Sequence, residues 1–483
     1  MSVKRHTLYN VIGAVVPLGV SLLTVPAYLH EVGEARFGIL SIAWLLLGYF
    51  GLLDLGLGMA TAQQIAARQE EGQIAQARIF WTALLTNFGL GVLGGLVALP
   101  VATYYFGHSI KVSDSLRAEM IRAIPWLILA VPMATITGVA TGALQGLKRF
   151  ANLNIISIAG AMLFQLVPLA AAFYWSPALT VVLPVSLATQ AVTLAMLMFE
   201  CHRTLLKGQT IAYDRSELRI LFRFGFWVTV PCLFVPLLSM LDRFVIGAFV
   251  GAAAVSLYAV PFNLGQRLCV VGNSAGTALF PRFSSLANQD SVKLADDSER
   301  VVSAIMLIVI TLAIFLIGPF LSIWIGSDFA ARARSVAQIL MVGVWLESVS
   351  RIPLYALRGQ SRPKTIALVE AAQLIPFWII LYVLVLNYGL VGVAAAYVLR
   401  SGANYLLLAE RLGTLRRVWM VTASSFIFLM VALQVARALT PFSLSWTFGL
   451  LCSASVSAIL AWYFLPVRTQ RDLRSRIPGH LMS

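Results

Sequence analysis

Apolar runs of about 20 residues recur along this chain from end to end, each long enough to cross roughly 30 Å of hydrocarbon. In such an environment no water meets the backbone amides, so a spanning segment must be a helix or a strand of a closed barrel. Barrel strands alternate apolar and polar positions over about ten residues. The runs here are continuously apolar, as in "WTALLTNFGLGVLGGLVALPVATYYF" (81–106). They predict helices, and the chain reads as an all-α polytopic membrane protein. Composition agrees. Of the 483 residues, 59% are hydrophobic and only 11% charged, with mean hydropathy +0.86; a soluble domain is about 25% charged.

Fourteen or so transmembrane helices are expected, near 8–30, 37–62, 80–105, 121–145, 151–174, 178–200, 224–249, 253–283, 300–325, 333–357, 365–387, 390–410, 418–438 and 445–465. Two of them meet with almost no loop at "NYGLVG" (387–392). A short internal echo pairs "VGEARFGILSIAW" (32–44) with "VGAAAVSLYAVPF" (250–262). Similar spans in similar order suggest two related, pseudo-symmetric six-helix lobes. The expected organisation is an N-terminal lobe at 1–200, a cytoplasmic linker at 201–223 and a C-terminal lobe at 224–412. Two accessory helices follow at 413–466, then a basic tail at 467–483.

Lys and Arg orient the chain. With the N-terminus in the cytoplasm, the inner segments hold Lys148 and Arg149, then Arg203, Lys207, Arg215 and Arg219, then Arg358, Arg362 and Lys364, among others. The outer loops hold only Arg36, Lys111, Arg117, Arg332 and Arg334. This bias places both termini inside a plasma membrane. It also accounts for most of the +15 net charge. The basic residues face anionic lipid over many separate segments, which argues against a nucleic-acid partner.

Several function classes recede. The first span is too long for a cleaved signal, and no small-residue cleavage site follows it. No Walker A motif occurs, and "GLGVLG" (89–94) lies mid-span with no strand before it, so Gly91 and Gly95 read as a helix-packing device. Outer connections are short, leaving no room for a catalytic domain, and the chain is not expected to be an enzyme. His6, His30, His108, His202 and His480 lack metal-ligand spacing, so neither metal nor cofactor is expected. Cys201, Cys232, Cys269 and Cys452 fall in spans or at inner ends, and no disulfide is expected.

Polar groups inside the spans point to function. Asn263, Gln266, Arg267, Asn273, Ser274 and Thr277 form one stripe at helical spacing in the eighth span, and suit a wet cavity. Asn10, Gly13, Pro17, Ser21, Thr24 and Tyr28 form a second stripe, which reads as helix–helix glue. A third runs along Glu347, Ser348, Arg351, Tyr355 and Arg358. Arg267, Glu347, Arg351 and Arg400 sit mid-membrane, while Asp54, Asp242, Arg243 and Glu370 lie nearer an interface. Each would cost about 2.5–3.5 kcal/mol at the bilayer centre, so most must face inward. Glu347 and Arg351 are four residues apart and can pair; the pair either neutralises itself or serves a substrate. Arg267 and Arg400 have no acid on their own face. An anion such as phosphate suits them, and so does an interhelical pair with Glu347 or Asp242. Asp54, in "GYFGLLDLGLG" (48–58), sits among glycines that permit close approach or a local break. It is a structural cap first and an ion carrier second.

At these residues the chain resembles bacterial polysaccharide-transporter flippases, of the superfamily that also holds multidrug extrusion transporters and the lipid II flippase. The resemblance rests on residues 9–66, "YNVIGAVVPLGVSLLTVPAYLHEVGEARFGILSIAWLLLGYFGLLDLGLGMATAQQIA", and on "LDRFVIGAFVGAAAVSLYAVPFNLGQRL" (241–268), with Asp242 and Arg243 at an Asp-Arg position. "ALFPRFSSL" (278–286) and "NYGLVGVAAAYVL" (387–399) extend it. It implies two six-helix lobes around a central cationic cavity, with two extra helices. It also implies alternating-access translocation of an undecaprenyl-diphosphate-linked oligosaccharide to the periplasmic leaflet, for O-antigen (lipopolysaccharide), capsule or exopolysaccharide synthesis. The lipid II flippase carries arginines in its first helix; this chain has none between Arg5 and Arg36, which shifts the charge to the second lobe.

On this reading Arg267, Arg400 and Arg351 hold the diphosphate, with Arg243 assisting, and Asn263, Gln266 and Asn273 bond sugar or phosphate. Glu347, Glu370, Asp54 and Asp242 are candidate ion-coupling groups. The partners are the lipid-linked oligosaccharide, membrane lipids and polysaccharide assembly proteins. The rivals are an ion-coupled multidrug antiporter of the same fold, which would favour an acidic cavity, and a membrane glycosyltransferase or polymerase, which would need a large outer loop. Orientation is directly testable. A reporter enzyme that folds only outside the cytoplasm should be active when fused after Ser113 and inactive after Lys207; the opposite result inverts the topology.

Overall fold

The structure is a computed structural model. It describes residues 3–54, 56–221, 240–467 and 469–471, with side chains described at all of these except 3–18, 52 and 53. Among them there is no strand, and ten helices are long and apolar enough to cross a membrane. The helices are α1 (Val3–Phe50), α2 (Leu57–Ala67), α3 (Gln73–Tyr104), α4 (Asp114–Gly146), α5 (Phe150–Tyr174) and α6 (Leu179–Cys201). Then come α7 (Ala252–Leu268), α8 (Val270–Ser285), α9 (Asn288–Trp324), α10 (Ser327–Gly359), α11 (Pro363–Leu412), α12 (Leu415–Ala438) and α13 (Leu444–Phe464). Most of the expected seventh span, Cys232 with it, lies outside the described residues, as do the side chains of Asn10, Gly13 and Pro17 and most of the basic tail; residues 240–249 are helical.

Two helices carry a break, and each break is a glycine at positive φ, where a side chain would strain the backbone. In α1 it is Gly33 (φ 77°, ψ 161°), and the rings of Tyr28, Phe37 and Trp44 pack across it, Tyr28 lying 6.3 Å from Phe37 and 5.2 Å from Trp44. In α11 it is Gly389 (φ 54°, ψ −132°). Contacts there pair residues nearly equidistant from the break. Gln373 Nε2 donates to Asn404 Oδ1 at 3.1 Å, and the Arg400 guanidinium lies 5.4 Å from the Phe377 ring centre. The chain therefore turns back at Gly389, and α11 is two antiparallel helices meeting where "NYGLVG" foretold a junction.

The chain divides into two compact units, Met1–Ser256 and Leu257–Ser483. In the first, α4 meets α2 along glycines four residues apart. A Cβ on Gly142 would stand 2.0 Å from the Gly58 carbonyl oxygen, and one on Gly146 2.7 Å from that of Ala62. Such small-residue seams let backbones approach where hydrocarbon supplies no hydrophobic drive. On α3, Gly91 abuts Pro132 and Thr135 of α4, and Gly95 abuts Ile128, in keeping with the packing reading of "GLGVLG". Asn87 Nδ2 donates to the Thr135 carbonyl at 3.3 Å, and Thr135 Oγ1 to that of Asn87 at 2.9 Å, in the same buried crossing. Thr24 and Tyr28 donate to Gln165 of α5 at 2.8 and 3.0 Å, so this part of the first stripe joins helices. Glu119 accepts from Arg36 and from the Leu179 amide that opens α6. Arg68 pairs with Glu217 at 2.5 Å and Arg78 with Asp214 at 3.7 Å, fastening the segment after α6 to α2 and α3. The Asp214 carboxyl is held below its ordinary range by the Ser216 hydroxyl and amide, with help from Arg78.

In the second unit a matching seam joins α7 and α8 to α10. Gly265 packs on Val344 and Met341, Cys269 on the Val344 carbonyl, Gly272 on Ser348 and Gly276 on Tyr355. Glu299 of α9, 1% exposed, accepts from Tyr405 at 3.0 Å and from Thr414 at 2.8 Å, and Tyr405 in turn bonds Thr422 of α12 at 3.0 Å. The seams predict a contrast. Gly142→Val should cost about 1–3 kcal/mol or more, because the new atoms meet backbone. Gly89→Ala, where a Cβ meets nothing within 4 Å, should be neutral or slightly stabilising. Thermal unfolding in detergent measures both.

Candidate functional site

The second unit gathers charge around Glu347. Glu347 and Arg351 lie one turn apart on α10, and Arg351 Nη2 donates to Glu347 Oε1. The other oxygen, Oε2, accepts from Tyr397 Oη at 2.6 Å and from Gln266 Nε2 at 2.9 Å. Gln266 Nε2 also lies 3.2 Å from Tyr397 Oη. Three helices, α7, α10 and the second arm of α11, thus converge on one carboxylate. The anticipated Glu347–Arg351 pair exists, and the carboxylate has further donors besides.

Arg400 stands three residues after Tyr397 on the same arm. Its guanidinium lies 5.6 Å from the Tyr397 ring centre and 5.4 Å from that of Phe377. Both distances permit cation–π attraction. Among the described residues Arg400 has no hydrogen bond or ion pair, and its Nε is buried without a partner. Arg351 Nε is likewise buried and unpartnered. Arg400 does feel Glu347 and Glu370 electrostatically, and Glu370 also feels Arg351 and Arg358. The interhelical pair between Arg400 and Glu347 is therefore a field interaction, not a salt bridge.

The polar stripe runs alongside. Asn263, Arg267, Ser274 and Thr277 are exposed, while Gln266 and Asn273 are half-buried. The stripe is divided by a turn at Cys269, whose amide reaches back to the Gln266 carbonyl at 3.2 Å. The glycine seam holds α7 and α8 against α10 on both sides of the turn, and at the edge of the stripe Gln266 bonds Glu347 and Thr277 bonds Tyr355 at 3.3 Å. Among the described residues Arg267 has no ion pair or hydrogen bond.

The remaining candidates lie in the first unit. Arg243 and Asp242 are 5% and 4% exposed, and the Arg243 amide donates to Asp242 Oδ1 at 2.7 Å. Asp54 accepts from the Gly56 amide at 2.7 Å and the Gly58 amide at 3.2 Å, at the start of α2 where Gly56 is left-handed (φ 71°). That is a helix-terminus cap, and Gly138 of α4 presses on the same carboxylate.

Sequence reasoning did not find Tyr397 or Phe377. Tyr397 had a signal, since it lies three residues before Arg400 on one helix face. Phe377 had none until the turn at Gly389 fixed which residues of the two arms meet.

The geometry predicts the consequence of cutting the pair. Glu347 and Arg351 side chains are 17% and 27% exposed. Glu347→Ala leaves Arg351 uncompensated and should cost up to about 3–5 kcal/mol, with Glu347→Ala/Arg351→Ala costing less than the sum of the single changes. A double-mutant cycle of thermal unfolding reads the coupling.

Comparison with known proteins places the fold. Residues 3–287 match the model of the family described as polysaccharide biosynthesis protein. A protein of Shigella flexneri named as an O-antigen transporter is 24% identical over 413 residues, 84% of this chain and 97% of its own length. A Haloferax volcanii protein named as a low-salt glycan biosynthesis flippase is 22% identical over 427 residues, 86% of this chain and 84% of its own. Among solved structures, the lipid II flippase MurJ in an inward closed conformation aligns over 97% of this chain and 99% of its own, with TM-score 0.68 and 12% identity. An inward-facing multidrug resistance MATE family transporter of the MOP superfamily aligns over 86% and 96%, with TM-score 0.62 and 16% identity. With more than half of its length matched by that family model, and a fold like these transporters', the chain belongs to the polysaccharide biosynthesis protein family.

Proposed function

We propose that this protein is a flippase for an undecaprenyl-diphosphate-linked oligosaccharide, working by alternating access without enzymatic chemistry of its own. The observation that carries the reading is Arg400: a cation between two aromatic rings, with a buried Nε that has no partner among the described residues. A buried donor left unpaired costs about 1–3 kcal/mol. A diphosphate would offset that cost, since its oxygens accept from the guanidinium fork in pairs. Arg351 and the exposed Arg267 extend the positive surface, and Asn263, Gln266 and Asn273 offer neutral hydrogen bonds beside it. Arg243, in the first unit, is assigned an assisting role. The names of the Shigella and Haloferax relatives support the substrate class. A drug-cation antiporter fits less well, because the guanidiniums of Arg267, Arg351, Arg358 and Arg400 outnumber the carboxylates of Glu347 and Glu370.

The proposal keeps six-helix lobes at 1–200 and 224–412 and accessory helices at 413–466. It places the protein in a bacterial inner membrane with both termini cytoplasmic, beside the assembly proteins of surface polysaccharide. Of the four acidic coupling candidates, Glu347 and Asp54 spend their oxygens on hydrogen bonds and Asp242 accepts an amide. Glu370 makes no hydrogen bond among the described residues and is assigned the coupling ion.

The test is uptake of radiolabelled lipid-linked oligosaccharide into vesicles. Arg400→Ala and Arg267→Ala should each lower transport about tenfold or more, the loss expected for roughly 1.4 kcal/mol of binding. Arg400→Lys should fall between, keeping the charge but not the fork. Equal transport by all variants would remove the anion site.

A further inference from the structure

The first unit holds a cavity that the proposed anion site does not use. It measures about 440 Å³ and is lined by α1, α4, α5 and α6 together with Gly51. That volume lies within the roughly 300–1,000 Å³ range of small-molecule sites. The lining is uncharged and mostly apolar, with Leu47, Ala134, Ala161, Phe164 and four glycines beside five polar side chains. Thr137, Thr141, Ser157 and Thr193 present hydroxyls, Gln190 an amide and Phe164 a ring. Thr137 and Thr193 donate to the Met133 and Thr189 carbonyls at 2.7 and 2.9 Å, which leaves their oxygens as acceptors. Thr141, Ser157 and Gln190 make no hydrogen bond among the described residues. Their donors and acceptors are all unspent.

These features narrow the occupant. No Lys or Arg lines the cavity, so it offers an anion no counter-charge. The nearby carboxylate, Asp54, sits behind Gly138 and gives its oxygens to the Gly56 and Gly58 amides, so a cation finds no counter-charge either. An acyl chain would match the apolar part of the wall but leave Gln190, Thr141 and Ser157 without partners. A sugar ring matches. Its hydroxyls both donate and accept, as hydroxyl and amide groups do, and its C–H face suits Phe164, which Trp44 holds edge-on at 5.7 Å.

We infer that this cavity of the first unit binds a ring of the glycan. The inference rests on the flippase reading and deepens it. Gly48 makes it testable. A Cβ there meets nothing within 4 Å and Gly48 borders the cavity, so a larger side chain would fill the space without displacing backbone.

The experiment measures equilibrium binding to the full chain in lipid nanodiscs with two probes. One is labelled lipid-linked oligosaccharide extracted from the cells that make this protein. The other is the same prenyl diphosphate stripped of its glycan. Gly48→Leu and the near-isosteric Gln190→Leu should each weaken binding of the glycosylated probe at least tenfold and leave the bare diphosphate unchanged, with melting temperatures near wild type. Arg400→Ala should weaken both probes. Wild-type binding of the glycosylated probe by both cavity variants, or equal loss of both probes, overturns the sugar site. Full binding of both probes by Arg400→Ala, with the cavity variants still discriminating, overturns the anion site and leaves the sugar site standing. A wild type that binds neither probe overturns both.

Discussion

Close approach of backbones is the constraint on which this structure depends. In hydrocarbon, apolar side chains gain little by leaving lipid for one another, and helices hold together through packing and a few polar bonds. Both units solve this alike. Gly58, Gly142 and Gly146 bring α2 against α4; Gly265, Gly272 and Gly276 bring α7 and α8 against α10. The second seam also has an outward effect. By committing one face of α7 and α8 to α10, it leaves Asn263, Arg267 and Ser274 exposed.

Charge follows from that scaffold. Glu347 is inside because α10 is largely buried, and it is tolerated because Arg351, Tyr397 and Gln266 all bond it. Arg400 is treated differently. Rings flank it, and among the described residues no carboxylate bonds it. This contrast between the two groups is what the proposed diphosphate site rests on. The uncharged cavity of the first unit is its counterpart, an apolar wall set with four hydroxyls and one amide.

Much of this could be read in advance, and the limits are physical. Helical spacing alone paired Glu347 with Arg351, because one turn of one helix joins them. The run "NYGLVG" marked the turn at Gly389, and Gly91 with Gly95 marked a crossing. What could not be read were meetings that depend on register between distant segments. Phe377 lies under Arg400 only because the two arms of α11 align about Gly389. Gly265, Gly272 and Gly276 were silent for another reason: glycines recur throughout these spans, and which of them meet a neighbour closely depends on the register of α7 and α8 against α10. Asp54 fell between. Its glycine neighbours were visible, but that their amides would claim its carboxylate was only one option among several.

The Glu299 latch bears on how the C-terminal end of the chain should be regarded. Thr414 opens α12 and gives its hydroxyl to Glu299, while Thr422 holds the Tyr405 hydroxyl that reaches the same carboxylate. Arg334 adds a clasp on the Ala436 and Leu439 carbonyls at the far end of α12, and Phe315 meets Trp446 of α13. A chain truncated before Thr414 would leave the buried Glu299 carboxylate with Tyr405 but without its Thr414 donor. The last two helices are therefore a structural wall of their unit rather than a detachable annex.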